Sequence, residues 1–271
     1  MFTDLIISGY MLVALNAPSI LPLRNVSVPE PQLLAKSVLV FDIKRDKVLF
    51  EKDSSRELPM ASLTKLLSSL VVLDALPLEK IITVEQKAVD TPGDAGDFRA
   101  GEQVEARHLF FASLIQSSND ALMALVYDLG LENFMSLLRS KAIQLRLKKF
   151  SLADPVGLSP QTSTTGFELL KVVRAAFSNE FITQVLAIPE YTFKSASGRV
   201  HRAISTNDLI FNHRVIAAKT GSLKEAGENY AALVKGAAEE DKFIIIILGS
   251  TNRTKDVLAL LNWLDKGFVW R

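Results

Sequence analysis

Apolar residues cluster in short runs near both ends of the chain and recur at helical spacing in the middle. Near the N-terminal end, the apolar and β-branched run 37–43 and the apolar run 47–51 flank a polar turn, which predicts a β-hairpin. Near the C-terminal end, residues 215–219, 229–235 and 242–248 predict three more strands. Strands from both ends therefore have to meet in one antiparallel sheet, with the middle of the chain inserted between them.

The middle of the chain has the periodicity of helices, and a helical pattern returns at the C-terminus. Residues 191–194 and 200–203 flank a Ser-Ala-Ser-Gly turn and predict a second hairpin. The segments predicted to be helical are Ser62–Leu76, Ala106–Ile115, Asp120–Leu129, Glu132–Leu145, Gly166–Phe177 and Lys255–Leu264. The predicted fold class is α/β: an antiparallel sheet built from both chain ends, flanked by helices, with a mostly helical insertion over about residues 62–190.

An uncharged stretch at residues 5–23 is open to several interpretations. Its apolar core resembles that of a secretory signal, but Asp4 is the one charged residue ahead of it, and two prolines interrupt any spanning helix. We treat residues 1–33 as an N-terminal segment: an export or anchor remnant, a packed segment or a truncated start. Residues 34–271 then form the main domain, and membrane association is expected through the N-terminus only.

Composition excludes several classes of function. The 271 residues include 31 basic and 30 acidic ones, and this balance gives no electrostatic case for binding nucleic acid, which would need a concentrated basic face. The absence of cysteine removes disulfides, thiolate metal sites and cysteine nucleophiles. The three histidines, His108, His201 and His213, lack metal-ligand spacing. We therefore expect neither a metal nor a cofactor.

Three short motifs combine residue types that can support acyl transfer. Ser62–Lys65 (Ser-x-x-Lys) opens a predicted helix, Ser117–Asn119 (Ser-x-Asn) lies in a polar break between two helices, and Lys219–Gly221 (Lys-Thr-Gly) ends an apolar strand. Each motif alone is explained by chance, a helix cap or a turn. Chance is a poor explanation for all three in this order, at a helix start, an interhelical loop and a strand end.

The first two motifs suit a nucleophile, its base and a proton relay. Residues i and i+3 share one helix face, so Ser62 Oγ and Lys65 Nζ can come within hydrogen-bond distance. Lysine ordinarily has a pKa of about 10.4, and burial near a second cation such as Lys219 is expected to lower the pKa of Lys65 to roughly 7–8. Ser117 is expected to relay a proton to the leaving amine, and Asn119 to bond both Lys65 and a substrate amide.

The third motif suits substrate binding. Lys219 and Thr220 can bind a substrate carboxylate, and Gly221 lets the strand backbone approach a ligand closely. The backbone N–H groups of Ser62 and Ser222 are expected to form an oxyanion hole.

These motifs and their neighbours resemble the low-molecular-mass penicillin-binding D-alanyl-D-alanine carboxypeptidases, serine peptidases of the β-lactamase/transpeptidase-like fold. The resemblance covers about residues 34–268, including 154–159 and 205–209. It implies an acyl-enzyme at Ser62 formed from the D-Ala-D-Ala end of peptidoglycan stem peptides, covalent binding of penicillin and other β-lactam antibiotics, and no cofactor. It also implies that residues 34–271 form a D,D-peptidase catalytic domain with an extracytoplasmic location.

The resemblance leaves some points open. A carboxypeptidase and a D,D-endopeptidase share every motif. Arg253, shortly after the last predicted strand, is expected to help fix a substrate carboxylate.

A class A β-lactamase is the nearest alternative function, and a β-lactam sensor that is acylated without turnover is another. A β-lactamase of that class needs a loop glutamate that holds the deacylating water. Residues 151–165 offer only Asp154, which precedes Pro155 and is expected to shape a turn, while Glu168 fits the first turn of a helix. The sensor would share all the motif residues.

Overall fold

The computed structural model describes residues 22–93, 96–236 and 240–269, so most of the uncharged stretch at residues 5–23 lies outside the described residues. The strands are β1 Leu23–Arg24, β2 Ser37–Asp42, β3 Lys47–Lys52, β4 Leu58–Pro59, β5 Ile81–Thr83, β6 Gln103–Glu105, β7 Phe150–Ser151, β8 Ser163–Thr164, β9 Glu190–Lys194, β10 Val200–Ile204, β11 Val215–Leu223, β12 Gly227–Lys235, β13 Lys242–Ser250 and β14 Phe268–Val269. The helices are α1 Thr64–Ala75, α2 Gln86–Val89, α3 Ala106–Ile115, α4 Asn119–Leu129, α5 Leu131–Gln144, α6 Gly166–Ser178, α7 Glu180–Leu186 and α8 Arg253–Lys266.

The central sheet joins strands from both ends of the chain, as predicted. Its order is β11-β12-β13-β2-β3, and every neighbouring pair is antiparallel. The predicted hairpin near the N-terminal end forms β2 and β3, and β13 pairs with β2, where Ile245 lies opposite Val40. The second predicted hairpin forms β9 and β10. The predicted fold class is therefore confirmed.

Burial of both sheet faces explains the continuous apolar sequence of β13. Side chains on a strand alternate between the two faces. Ile244 and Ile246 belong to the apolar layer shared with α1 and α3–α7, whereas Ile245 and Ile247 belong to the layer beneath Trp263 of α8. Because each such side chain contributes about 1.5–3 kcal/mol on burial, the strand fixes the sheet firmly between the helices.

The helices follow the predicted pattern with two additions. The short helices α2 and α7 were not predicted. Asn179 starts α7: its side-chain oxygen accepts a hydrogen bond from Ile182 N at 3.1 Å, as an N-cap. The last helix begins at Arg253, two residues earlier than predicted, because Asn252 caps it through Lys255 N at 2.9 Å.

Two motifs lie differently from the prediction. Ser62 does not open the α-helix; it lies in a 3₁₀ turn at Ala61–Leu63, and α1 starts at Thr64. Ala61 has φ +48°, which is incompatible with continuing the helix backwards. Lys219–Gly221 does not end its strand, because β11 continues to Leu223 through its hairpin with β12.

The described end of the predicted N-terminal segment packs on the last helix. Leu23 pairs with Val269, and the Arg24 guanidinium donates to the Gly267 carbonyl at 3.1 Å and lies 5.1 Å from the centre of the Trp263 ring. In the part of the chain that the structure describes, no single helix is long and apolar enough to cross a membrane. The pair α4 and α5 reaches that length and composition together, with a bend of 99° between the two helices.

Candidate active site

A strained turn presents Ser62 in front of α1. Ala61 occupies the left-handed region, which costs a non-glycine residue on the order of 1–2 kcal/mol. The turn is held by Asn229 of β12, whose side-chain nitrogen donates to the Pro59 carbonyl at 2.9 Å and to the Met60 carbonyl at 3.0 Å. The sequence analysis missed the role of Asn229, although an asparagine inside a strand, just before the apolar run 230–234, was a usable signal. The central sheet thus fixes the turn that carries Ser62.

Lys65 lies under Ser62 and is almost completely buried. Its Nζ is 2.8 Å from Ser62 Oγ, 2.6 Å from Asn119 Oδ1 and 3.2 Å from the Val156 carbonyl oxygen, and 1% of the residue is exposed. An amide or carbonyl oxygen can only accept hydrogen bonds. When the amine is neutral, its N–H groups can point at Asn119 and Val156 while its lone pair faces the Ser62 hydroxyl. This arrangement can remove a proton from Ser62.

The loop that supplies the Val156 carbonyl is built around one carboxylate. Asp154 accepts hydrogen bonds from four backbone N–H groups, those of Val156 at 3.0 Å, Gly157 at 2.5 Å, Leu158 at 3.0 Å and Ser159 at 2.8 Å. Asp154 thus shapes the turn, as predicted. The sequence analysis did not find the role of the Val156 carbonyl, since a backbone group has no side-chain signature.

Ser-x-Asn begins with a second strained residue. Ser117 has φ +64°, is buried, and its Oγ accepts a hydrogen bond from Lys219 Nζ at 2.8 Å. Ser118 is the N-cap of α4, and Asn119 is the first residue of that helix. Asn119 Nδ2 donates to the Pro92 carbonyl at 2.7 Å, which orients the side chain with its oxygen towards the buried lysine. Backbone strain of this kind is typical of functional sites.

Lys-Thr-Gly runs beside the Ser62 turn. Lys219 and Thr220 are buried, and the hydroxyls of Thr220 and Thr206 are 2.6 Å apart. A Cβ atom at Gly221 would lie 3.0 Å from the backbone nitrogen of Ser62, closer than about nine in ten real Cβ contacts. Glycine at this position therefore allows the strand and the turn to meet.

The segment before β11 fixes Thr206. Asn207 Oδ1 accepts hydrogen bonds from the Tyr230 hydroxyl at 2.7 Å and from Leu209 N at 3.0 Å. Burial raises the pKa of Tyr230 above its ordinary value, so this hydroxyl stays protonated and keeps donating. Tyr230 lies opposite Thr220 in the sheet, which places the whole segment against the motif.

β11 is the edge strand of the central sheet, with β12 as its neighbour on one side. Backbone groups on an open edge can pair with an extended peptide. Ser222 is the next residue after Gly221 on this edge, opposite Glu228. Arg253 is held elsewhere: its backbone N–H donates to Glu228 Oε2 at 2.8 Å, and its guanidinium is 3.3 Å from Asp208 Oδ2. Its role at a substrate carboxylate stays a prediction.

Two of the three histidines have partners of their own. His108 Nδ1 is 2.7 Å from the Tyr191 hydroxyl, and His201 lies between the Gly96 carbonyl and Glu102. Among residues 22–93, 96–236 and 240–269, no group of three or more His, Cys, Asp or Glu side chains is placed to hold a metal ion.

Comparison with known proteins identifies similar sequences. A family model described as D-alanyl-D-alanine carboxypeptidase matches residues 24–252. A D-alanyl-D-alanine endopeptidase of Pseudomonas aeruginosa is 28% identical over 265 residues, which cover 94% of this chain and 85% of that protein. A D-alanyl-D-alanine endopeptidase of Escherichia coli is 25% identical over 252 residues, which cover 89% of this chain and 80% of that protein.

A solved structure shows the same fold. It is described as a D-alanyl-D-alanine carboxypeptidase from Mycobacterium tuberculosis, superimposes with a TM-score of 0.81 at 24% sequence identity, and covers 91% of this chain and 99% of that one. The architecture built here from both chain ends is therefore an established one.

Proposed function

The chain belongs to the D-alanyl-D-alanine carboxypeptidase family, and we propose that it hydrolyses the D-Ala-D-Ala end of peptidoglycan stem peptides with Ser62 as nucleophile. The observation that carries this proposal is the 2.8 Å contact between Lys65 Nζ and Ser62 Oγ in a buried polar cluster. We assign the activity to residues 34–271, with the helical insertion at about 62–190.

Acylation begins at Ser62. Lys65, whose Nζ lies 2.8 Å from Ser62 Oγ, accepts the hydroxyl proton, and Ser62 Oγ attacks the carbonyl carbon between the two D-alanines. The carbonyl oxygen becomes an oxyanion, stabilised by the N–H groups of Ser62 and Ser222. Loss of one such donor typically costs about 10²–10³ in rate.

Collapse of the oxyanion breaks the C–N bond and releases D-alanine. The leaving nitrogen needs a proton, and Ser117 supplies it while regaining the proton that Lys65 holds. Lys219 donates to Ser117 Oγ, which leaves the Ser117 hydrogen free to point at the leaving group. Water then attacks the ester at Ser62 with Lys65 as base, which regenerates the enzyme.

Substrate binding uses the edge of β11. The peptide pairs with this edge, the free N–H of the Asn119 side chain bonds its acyl carbonyl, and Lys219 and Thr220 attract its terminal carboxylate. Arg253 is a further candidate for that carboxylate. It would have to leave Asp208, and this partly exposed pair, with a long 3.3 Å contact, is weak enough to exchange.

Endopeptidase activity is a second candidate, because the Pseudomonas aeruginosa and Escherichia coli relatives bear that name. Cleavage of a D,D-crosslink is the same acyl transfer with a larger leaving amine. The geometry around Ser62 serves both reactions.

The β-lactamase alternative is weakened at Asp154. Both of its carboxylate oxygens accept backbone hydrogen bonds, so the carboxylate is engaged in the turn rather than available to activate a water. The sensor alternative differs only in turnover.

An enzyme that acts on peptidoglycan stem peptides acts outside the cytoplasm, on the cell-wall side. Association with the membrane through residues 1–33 is part of the proposal.

Product analysis tests the proposal. The purified protein is incubated with a stem pentapeptide and, separately, with a D,D-crosslinked dimer, and the products are identified by mass spectrometry. We expect repeated release of D-alanine from the pentapeptide, monomers from the dimer if the endopeptidase candidate holds, and neither with Ser62→Ala. Equal turnover by Ser62→Ala, or no release from either substrate, contradicts the proposal.

A further inference from the structure

A buried histidine–carboxylate pair lies beside the catalytic cluster but takes no part in the reaction above. His201 of β10 and Glu102 before β6 are 4% and 8% exposed, and His201 Nε2 is 2.6 Å from Glu102 Oε1. The imidazole ring stacks on Phe98 at 4.6 Å and on Phe193 at 5.1 Å. Polar groups are costly to bury unless they are hydrogen-bonded, which raises the question of what this pair holds in place.

The second ring nitrogen of His201 reaches a backbone carbonyl. Nδ1 lies 3.3 Å from the Gly96 oxygen. Burial opposes ionisation of Glu102, but hydrogen bonds from His201, the Arg99 backbone and Ser195 outweigh it and hold the pKa of Glu102 below its ordinary value. A carboxylate and a carbonyl both only accept, so the ring satisfies both when each nitrogen carries a proton.

Gly96 is in turn bonded to the helix that carries the catalytic asparagine. Its N–H donates to both carboxylate oxygens of Asp120, at 2.7 and 2.9 Å. Asp120 also accepts from the Ser118 hydroxyl and from Ala121 N. These bonds tie the first turn of α4, where Asn119 lies, to the Gly96 peptide.

We propose that His201 is a positioning residue for the reaction: through its Nδ1–H bond to Gly96 it holds Asp120, and thereby the Ser117–Asn119 segment, in register with Lys65. Glu102 orients the ring for this task. The inference rests on the proposed function, since Asn119 and Ser117 act in it.

Two isosteric substitutions separate positioning from packing. The side-chain amide nitrogen of asparagine can occupy the place of His Nδ1, and that of glutamine the place of Nε2. His201→Asn therefore keeps the donor to Gly96 and loses the bond to Glu102, while His201→Gln does the reverse. Both remove the same stacked ring.

The expected orders of stability and reactivity are opposite. His201→Asn leaves Glu102 buried without its partner, so it should have the lower Tm of the two variants. In acylation by a fluorescent penicillin, His201→Asn should stay within about threefold of the wild type, and His201→Gln should be roughly five- to tenfold slower, as for one lost hydrogen bond. If acylation follows Tm, with His201→Gln the faster variant, His201 is merely structural and the inference is overturned.

Two further variants keep the test decisive. Phe193→Leu removes a stacking partner but no hydrogen bond, so its Tm should fall while acylation stays unchanged; slowed acylation here counts against the inference. Asp120→Asn weakens the same connection at its other end, at the bond to Gly96 N–H. It should slow acylation roughly five- to tenfold, and it provides the test if His201→Gln does not fold. An unchanged rate for Asp120→Asn overturns the inference. Failure of the proposed function gives a different result from failure of this inference. Ser62→Ala would then be labelled like the wild type, and the inference would be overturned together with the proposed function.

Discussion

At the scale of single residues, the site depends on an amine that can lose its proton. Lys65 Nζ contacts Ser62, Asn119 and Val156 at once, and a guanidinium is always charged in a protein. We therefore expect Lys65→Arg to slow acylation nearly as much as Lys65→Ala, by about 10²-fold or more. Labelling with a fluorescent penicillin over time measures this rate.

A lysine outside the site provides the control. Lys255→Arg at the start of α8 should label at the wild-type rate. If Lys65→Arg keeps most of the acylation rate, the base must be another group.

The sequence predicted the side chains of the site better than its backbone. The contact of Ser62 with Lys65 was predicted from their i, i+3 spacing. It is present although the helix begins two residues later than predicted. The positive φ angles of Ala61 and Ser117 were not foreseeable, because neither residue type favours the left-handed region. Such strain persists only where the surrounding structure enforces it.

At the scale of elements, the loop at 154–159 helps to hold the Ser62 turn in place in front of α1. Gly157 has φ +84°, and a Cβ atom there would lie 1.9 Å from the Ala61 carbonyl oxygen. We expect Gly157→Ala to lower the free energy of unfolding by about 3 kcal/mol or more and to slow acylation, because the Ser62 turn must shift.

Gly198→Ala is a matched control for this prediction. Its φ of +87° is similar, but nothing lies within 4 Å of the new Cβ. In this variant the free energy of unfolding should fall only by the cost of the left-handed backbone conformation, on the order of 1–2 kcal/mol, and the acylation rate should not change. Urea unfolding and penicillin labelling of both variants test the difference, and equal behaviour of the two would contradict the role given to Gly157.

The elements themselves were largely predictable, for a physical reason. Continuous apolar runs bounded by polar turns predicted β2, β12 and β13, because these strands are buried on both faces of the sheet. The short helix α7 escaped prediction because Asn179 ends one helix and caps the next. The pairing of segments distant in sequence, such as Gly96 with Asp120, has no local signature at all.

At the scale of the whole molecule, Glu102 contributes to stability against acid. Its pKa lies below the ordinary value, so its contribution is fully present above about pH 5 and is lost as the pH falls through the folded-state pKa. Glu102→Gln should therefore be less stable than the wild type at pH 7, and the gap should narrow between about pH 5 and 3. Thermal unfolding across this range measures the gap.

Glu57→Gln at an exposed position is the control and should follow the wild type throughout. If the stability difference between the wild type and Glu102→Gln grows towards acid pH, the predicted direction of the pH dependence is wrong.

The central claim is that Ser62 is the nucleophile of a D,D-peptidase, and mapping of a benzylpenicillin adduct by mass spectrometry tests it most directly. The matched control is Ser69→Ala, which removes a serine of α1, the helix that follows Ser62; the Ser69 hydroxyl donates to the Leu66 carbonyl. We expect one adduct on Ser62, lasting minutes or longer, in the wild type and in Ser69→Ala, and none in a folded Ser62→Ala variant. An adduct on another residue of Ser62→Ala, or an adduct lost within about a second, would contradict the account.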